Sequence, residues 1–260
     1  MTRPVVDAMT DPWGARARDW AEVEDEGSRP LFETVLDLLE VGTGSRYLDV
    51  GCGSGLGCRM AADRGASVSG LDLSPGLIAI AAERTPDADV RVGDMGSLPW
   101  ADASFDAISF INTFFFAGDQ EETLREAARV LARGGRVAVT SWPAPEKVQS
   151  LAFLEAVGPL LPPTPVEVDP FIVPQRLREL AEAAGLQTID VVELDWTWDY
   201  HVDLETALRG LMSVGLSTIA IAAAGEAAVR EAITEALKPF RTTTGGYRLE
   251  NTISGLLAEA

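Results

Sequence analysis

Three acidic side chains stand where successive β-favouring, largely apolar runs give way to turns: Asp49, Asp72 and Asp94. Asp49 lies in Tyr47-Leu48-Asp49-Val50, directly before Gly51-Cys52-Gly53-Ser54-Gly55, whose glycines leave room for backbone N–H groups to approach a ligand. Asp72 follows Gly51 by 21 positions, the separation at which a carboxylate can accept both hydroxyls of a ribose. Asp94, in Val92-Gly93-Asp94-Met95, suits an exocyclic amino group of adenine, with Met95 packing on the ring. A dinucleotide fingerprint would need a further glycine at Leu56 or Cys58 and has neither. An acid at 49 would also repel a pyrophosphate, yet it can accept hydrogen bonds from an ammonium group. The chemistry implied is retention of a nucleoside that carries an amino acid and no phosphate.

The elements that must position these residues follow from periodicity. The predicted strands are Arg46–Val50, Ser67–Leu71, Ala88–Val92, Phe105–Ile111 and Gly135–Ser141. Between them lie predicted helices at Ser54–Arg64, Ser74–Glu83 and Glu121–Ala132. Strand alternating with helix implies parallel pairing by right-handed crossovers, and so a doubly wound α/β sheet covered on both faces. Ahead of it, Ala15–Asp25 and Leu31–Val41 read as two separate helices, the first with Trp13 and Trp20 on one face. Beyond it, Glu146–Val157 and Gln175–Ala184 read as helices around a proline-rich interval. Gln187–Trp196 reads as a strand, Asp203–Leu237 as two or three helices, and Tyr247–Leu257 as a last strand.

Leu48-Asp49-Val50-Gly51-Cys52-Gly53-Ser54-Gly55, Leu71-Asp72-Leu73-Ser74, Gly93-Asp94-Met95, Ser104-Phe105-Asp106-Ala107 and Arg129-Val130-Leu131-Ala132-Arg133-Gly134-Gly135 resemble, in order and spacing, the motifs of class I S-adenosylmethionine-dependent methyltransferases. The match covers about residues 44–142, and similarity to the subgroup acting on small molecules continues through 174–196. The resemblance implies a seven-stranded, mostly parallel Rossmann-like sheet whose last strand is antiparallel, with an α-helical cap. It also implies S-adenosylmethionine as cofactor, S-adenosylhomocysteine as product and no metal. Asp49, Gly51, Cys52 and Gly53 then surround the methionine moiety, Asp72 and Leu73 the ribose, and Asp94 and Met95 the adenine. Asn112 falls where such enzymes line the methyl-transfer site. The expected organisation is a helical lid at 1–30, the cofactor-binding core at 31–202, a helical insertion at 203–240 and a closing antiparallel strand at 241–260.

Methyl transfer is an in-line displacement that asks mainly for positioning and exclusion of water, so catalytic groups are hard to name. In Trp196-Thr197-Trp198-Asp199-Tyr200-His201, a strand would put Asp199 and His201 on one face. His201, the chain's single histidine, is then either a general base oriented by Asp199 or a surface histidine beside a surface acid; both readings are open. Trp20, Phe115, Trp142, Trp198 and Tyr200 are candidates for an apolar, aromatic or polyketide-like acceptor pocket. No His/Asp set has metal-ligand spacing, which disfavours a metal-dependent mechanism. The net charge of −19, from 40 acids against 21 bases, disfavours nucleic acid and anionic membranes as partners. Cys52 and Cys58 suit packed thiols in a reducing cytoplasm, where the chain is expected. Monomer and homodimer are both open. The expected activity is methylation of a small molecule; the alternative is the same fold holding its cofactor as scaffold for a cyclisation or rearrangement.

Overall fold

Arg46–Val50 forms β1, the centre of a sheet that passes from exposed at Arg46 to fully buried over its other four residues. The computed structural model describes residues 12–163, 169–200 and 203–260. Six further strands complete the sheet: β2 (Ser67–Asp72), β3 (Asp89–Val92), β4 (Phe105–Phe110), β5 (Leu131–Ser141), β6 (Gln187–Tyr200) and β7 (Tyr247–Glu259). Their spatial order is β3-β2-β1-β4-β5-β7-β6. The first five pair in parallel, and β7 runs antiparallel between β5 and β6. This is a doubly wound α/β sheet with its order reversing beside β1, where such sheets hold their ligands.

Alternation along β1 divides the core in two. Leu48 and Val50 pack with Ile108, Phe110, Val137 and Val139 on one face, while Tyr47 packs with Ala107, Ala138 and Leu257 on the other.

Three departures from the sequence reading bear on the site. First, residues 17–38 form one helical run rather than two helices: α1 (Ala17–Asp19), a π-helical turn (Trp20–Glu24) and α2 (Asp25–Leu38). Pro30 sits inside α2 but on its exposed side, where water can take the hydrogen bond its ring cannot make. Second, the predicted helix at Glu146–Val157 divides into a 3-10 turn (Pro145–Lys147) and a short helix (Leu151–Val157). Third, β6 continues four residues past Trp196 to Tyr200, because β7 pairs with it throughout, Trp196 opposite Asn251 and Tyr200 opposite Tyr247. The end of β5 pairs Ser141 with Ser254, so the β6–β7 ribbon rises beyond the edge of the parallel sheet. Trp196, Trp198 and Tyr200 all face inward along it.

Between β6 and β7 lie three helices, Leu204–Leu211, Gly215–Ala224 and Glu226–Leu237. Arg209 on the first pairs with Asp19 at 2.6 Å and with Glu22, and Arg16 reaches Glu226 at 2.8 Å, so these helices are tied to the N-terminal run. None of the described helices is by itself long and apolar enough to cross a membrane.

Candidate active site

One cavity of about 360 Å³ opens at the carboxyl ends of the central strands, and its wall joins the glycine turn after β1 to a set of aromatic side chains. Gly51 holds φ +73°, and a Cβ there would overlap the Thr113 side chain. That position is closed to any other residue by both backbone and space. Gly53 N–H donates to Asp72 Oδ2 at 2.9 Å, and Asp72 Oδ1 accepts the Ser74 N–H at 2.9 Å. Asp72 therefore braces the turn while still lining the cavity, with lone pairs left for a ligand hydroxyl. Burial raises its pKa, and the backbone N–H groups of Ser74 and Gly53 oppose that rise.

Gly51, Cys52, Gly53, Asp72, Leu73, Met95 and Asn112 come together on this wall. Asn112 has φ +53°, uncommon for a residue with a side chain, and its Oδ1 is buried without a partner. Its N–H donates to Thr140 Oγ1 at 2.9 Å, which holds the turn after β4 in this conformation.

Two of the predicted cofactor acids are placed elsewhere. Asp49 is 1% exposed and is not among the cavity-lining residues. It shares a strand face with Tyr47, so its Oδ1 accepts from Ser109 Oγ at 2.7 Å behind the turn, and its Oδ2 has no hydrogen-bond partner. Burial pushes its pKa up to about 7 against the lowering effect of Ser109. Asp94 accepts the Gly96 N–H at 2.9 Å and also lies off the cavity wall.

Of the predicted acceptor residues, Trp20, Phe115, Trp142 and Trp198 line the cavity. Tyr200 does not: its hydroxyl donates to Glu24 Oε1 at 2.7 Å in the interior. Asp199 is engaged by Arg248, whose Nε donates to it at 2.8 Å, and His201 lies outside the described residues.

Sequence reasoning missed a buried acidic group on the N-terminal helix. The π turn brings the Asp25 N–H onto the Trp20 carbonyl, one residue further back than in an α-helix, and leaves the consecutive acids Glu24 and Asp25 at 1% and 5% exposure. Asp25 lines the cavity and accepts from Ser54 Oγ and from Arg84 Nη1, the latter at 2.9 Å. Burial raises its pKa to about 6, with Ser54 and Arg84 pulling it down; burial likewise lifts Glu24 to about 7. Also unforeseen are Phe153 and Leu154 from the short helix after β5, Val214 from the bend between helices and Leu216 from the start of the helix that follows it, all on the cavity wall. Their only sequence signal is apolar character, which core residues share.

Comparison with known proteins identifies the family of this chain. A family model for a methyltransferase domain matches residues 48–139. The 27-O-demethylrifamycin SV methyltransferase of Amycolatopsis mediterranei is 30% identical over 213 residues, covering 77% of this chain and 69% of that protein. The demethylmenaquinone methyltransferase of Renibacterium salmoninarum is 35% identical over 111 residues, 43% of this chain and 47% of that protein. The match thus spans about half the length of that relative. Among solved structures, the [4+2]-cyclase SpnF superposes with a TM-score of 0.58 at 22% identity, over 89% of this chain and 81% of its own, a likeness of fold. The glycine turn, the brace at Asp72, the strand order and these relatives agree, and the chain belongs to the class I S-adenosylmethionine-dependent methyltransferases.

Proposed function

We propose that this chain transfers a methyl group from S-adenosylmethionine to an apolar small molecule held under the aromatic part of the cavity. The observation that carries this reading is the continuity of the site: one cavity runs from Gly51, Gly53 and Asp72 to Phe115, Trp142 and Trp198. The residues present fit the cofactor. A Cβ-free turn, a half-buried carboxylate with lone pairs in reserve and the unpartnered Asn112 Oδ1 supply close approach and hydrogen-bond acceptors where a nucleoside bearing an ammonium group would need them.

Bound S-adenosylmethionine would supply an electrophilic methyl on a sulfonium. The chain's own part is to bind and to exclude water. The glycine turn and Asp72 hold the nucleoside, Met95 offers a ring-sized apolar contact, and the aromatic wall keeps water from the reacting atoms. Of the expected lid 1–30, residues 1–11 lie outside the described residues; 12–30 and 203–240 act as lid and cap over the described residues of the core 31–202, with 241–260 closing the sheet, and Arg16 and Arg209 join lid to cap. His201 is the proposed base for acceptors that must lose a proton. Turnover of His201→Ala, measured with cofactor binding intact, removes that role if it is unchanged.

Calorimetry with S-adenosylmethionine and S-adenosylhomocysteine tests the cofactor. Wild type is expected to bind both, and Asp72→Asn to bind each about tenfold or more weakly, the cost of weakening a charge-assisted hydrogen bond. No binding to wild type would overturn the reading. The mass of the product then separates methyl transfer from a rearrangement on the same fold: methylation adds one CH2 to the acceptor, and an isomeric product refutes transfer.

A further inference from the structure

The part of the cavity away from the glycine turn is walled by two aromatic runs. In one, Phe115 stands 6.2 Å from Trp142 between ring centroids, and Trp142 stands 6.1 Å from Phe171. In the other, Phe153 stands 5.7 Å from Trp198, and Trp198 stands 4.9 Å from Trp196. All six rings line the same cavity. Trp196 and Trp198 reach it only because the β6–β7 ribbon overshoots β5.

The tryptophans of this wall share an unusual property with Trp20, which lines the cavity beside Gly53 and also has a buried indole N–H without a partner. Trp142, Trp196 and Trp198 are 7%, 5% and 6% exposed, and the indole N–H of each is buried with no hydrogen-bond partner. A buried indole N–H ordinarily has one, since leaving it unpaired carries the full cost of its desolvation. Three such donors in one wall are a standing demand for acceptor atoms. The chain does not meet that demand from charged groups: among the described lining residues only Asp25 and Asp72 are charged, Asp72 at the glycine turn and Asp25 already engaged by Ser54 and Arg84. Aromatic faces alone would also attract a cation. A cationic ammonium, however, has only donors and leaves all three indoles unpaired.

We propose that this wall selects an uncharged ring system bearing hydrogen-bond-accepting oxygens, carbonyl or ether, and that Trp142, Trp196 and Trp198 are its specificity-determining residues. The assignment rests on the cavity being the acceptor site of a methyltransferase. Apolar rings fill the volume between the aromatic runs, and the oxygens satisfy the indole N–H groups, so bare hydrocarbons and cations are both discriminated against.

The test is a calorimetric titration of the full chain, saturated with S-adenosylhomocysteine, against three probes of similar size: 1-acetonaphthone, 1-ethylnaphthalene and 1-naphthylmethylammonium. The ketone is expected to bind about fivefold or more tightly than the hydrocarbon, the worth of one net hydrogen bond, with the cation weakest. Trp196→Phe combined with Trp198→Phe keeps both rings and removes both N–H groups. It is expected to narrow the ketone's advantage over the hydrocarbon, Trp142 keeping its N–H, while leaving the affinity for S-adenosylhomocysteine unchanged, which also certifies the fold. A ketone that binds no better than the hydrocarbon, a cation that binds most tightly, or a preference undiminished by both substitutions would overturn the proposal. Failure of wild type to bind S-adenosylhomocysteine would count against the methyltransferase reading instead, and the same probes on the unliganded chain would then decide the wall.

Discussion

Glu24→Gln is expected to raise the melting temperature at pH 8 and to flatten its dependence on pH. Glu24 is 1% exposed; its Oε1 accepts the Tyr200 hydroxyl, its Oε2 has no partner, and the next residue is a second buried acid. Burial carries its pKa to about 7, the Tyr200 hydrogen bond lowering it and Asp25 raising it. A carboxyl raised in the native state holds its proton where the unfolded chain has lost it, so between the ordinary value of 4.5 and about 7 the folded form binds more protons. Stability from this group is therefore complete below the lower value and lost as pH climbs through the upper one. At about 1.4 kcal/mol for each pKa unit, the loss is on the order of 3 kcal/mol by pH 8. Asp25, raised to about 6, and Asp49, raised to about 7, act with the same sign. Exposed acids whose pKa is lowered by arginine partners, such as Asp89 and Asp106, work in the opposite sense, but only in more acidic solution. Gln keeps the carbonyl that accepts from Tyr200 and cannot ionise. Scanning calorimetry of both proteins from pH 5 to 8 checks this: the curves should converge near pH 5 and part above it, and parallel curves would refute the assignment.

The meeting of the glycine turn and Asp72 on one cavity wall was legible because its signals are local. Glycines 51, 53 and 55 and the strand-end acid Asp72 act within a few residues of where they stand in the chain, and strand–turn–helix order puts them at one edge. Asp49 lies off the cavity wall, and the means to foresee that were present in the sequence. It stands two residues after Tyr47, and period-2 alternation sends both to the same buried face, away from the turn that follows. Glu24 and Asp25 could not be found that way. In a regular helix the run Glu22-Val23-Glu24-Asp25-Glu26 would spread its charges mostly into solvent, and only the π turn brings two neighbours inward together. The acceptor wall was half visible for a different reason. Trp198 announces itself by size, but its reach into the cavity depends on pairing with a strand some fifty residues later, and Phe153 and Val214 depend on packing that no short window contains.

The buried acids also explain how the N-terminal helix and the cofactor turn are held to one another. Arg84, at the end of the helix Pro75–Arg84, donates through Nη1 to Asp25 Oδ2 at 2.9 Å, to Ser54 Oγ at 2.7 Å and to the Ser54 carbonyl at 3.3 Å. Its Nη2 donates to the Ala21 carbonyl, inside the π turn, at 2.5 Å. One guanidinium thus gathers the N-terminal helix and a residue of the glycine turn, using the fixed fork that lysine lacks.

Arg84→Met is accordingly expected to cost about 3–5 kcal/mol, because it strands the Asp25 carboxylate in the interior. Asp25 is only 7% exposed through its side chain, so water replaces the lost partner poorly. Without the guanidinium its pKa should rise beyond the present value of about 6, and the variant should therefore lose stability more steeply than wild type as pH increases through that range. The damage at pH 5, where the carboxyl can protonate, should be clearly smaller than at pH 8. Adding Asp25→Leu to Arg84→Met removes the stranded charge and should recover most of the stability, since an ion pair replaced on both sides by apolar groups is close to neutral. It should not recover the affinity for S-adenosylhomocysteine, because the bonds from Arg84 to Ser54 and to the π turn remain absent. Urea unfolding at the two pH values, with calorimetry of the same three proteins, separates these effects. A single-variant loss below about 1 kcal/mol, or a double variant no more stable than the single one, would show that the guanidinium is not what holds the acid and the turn together.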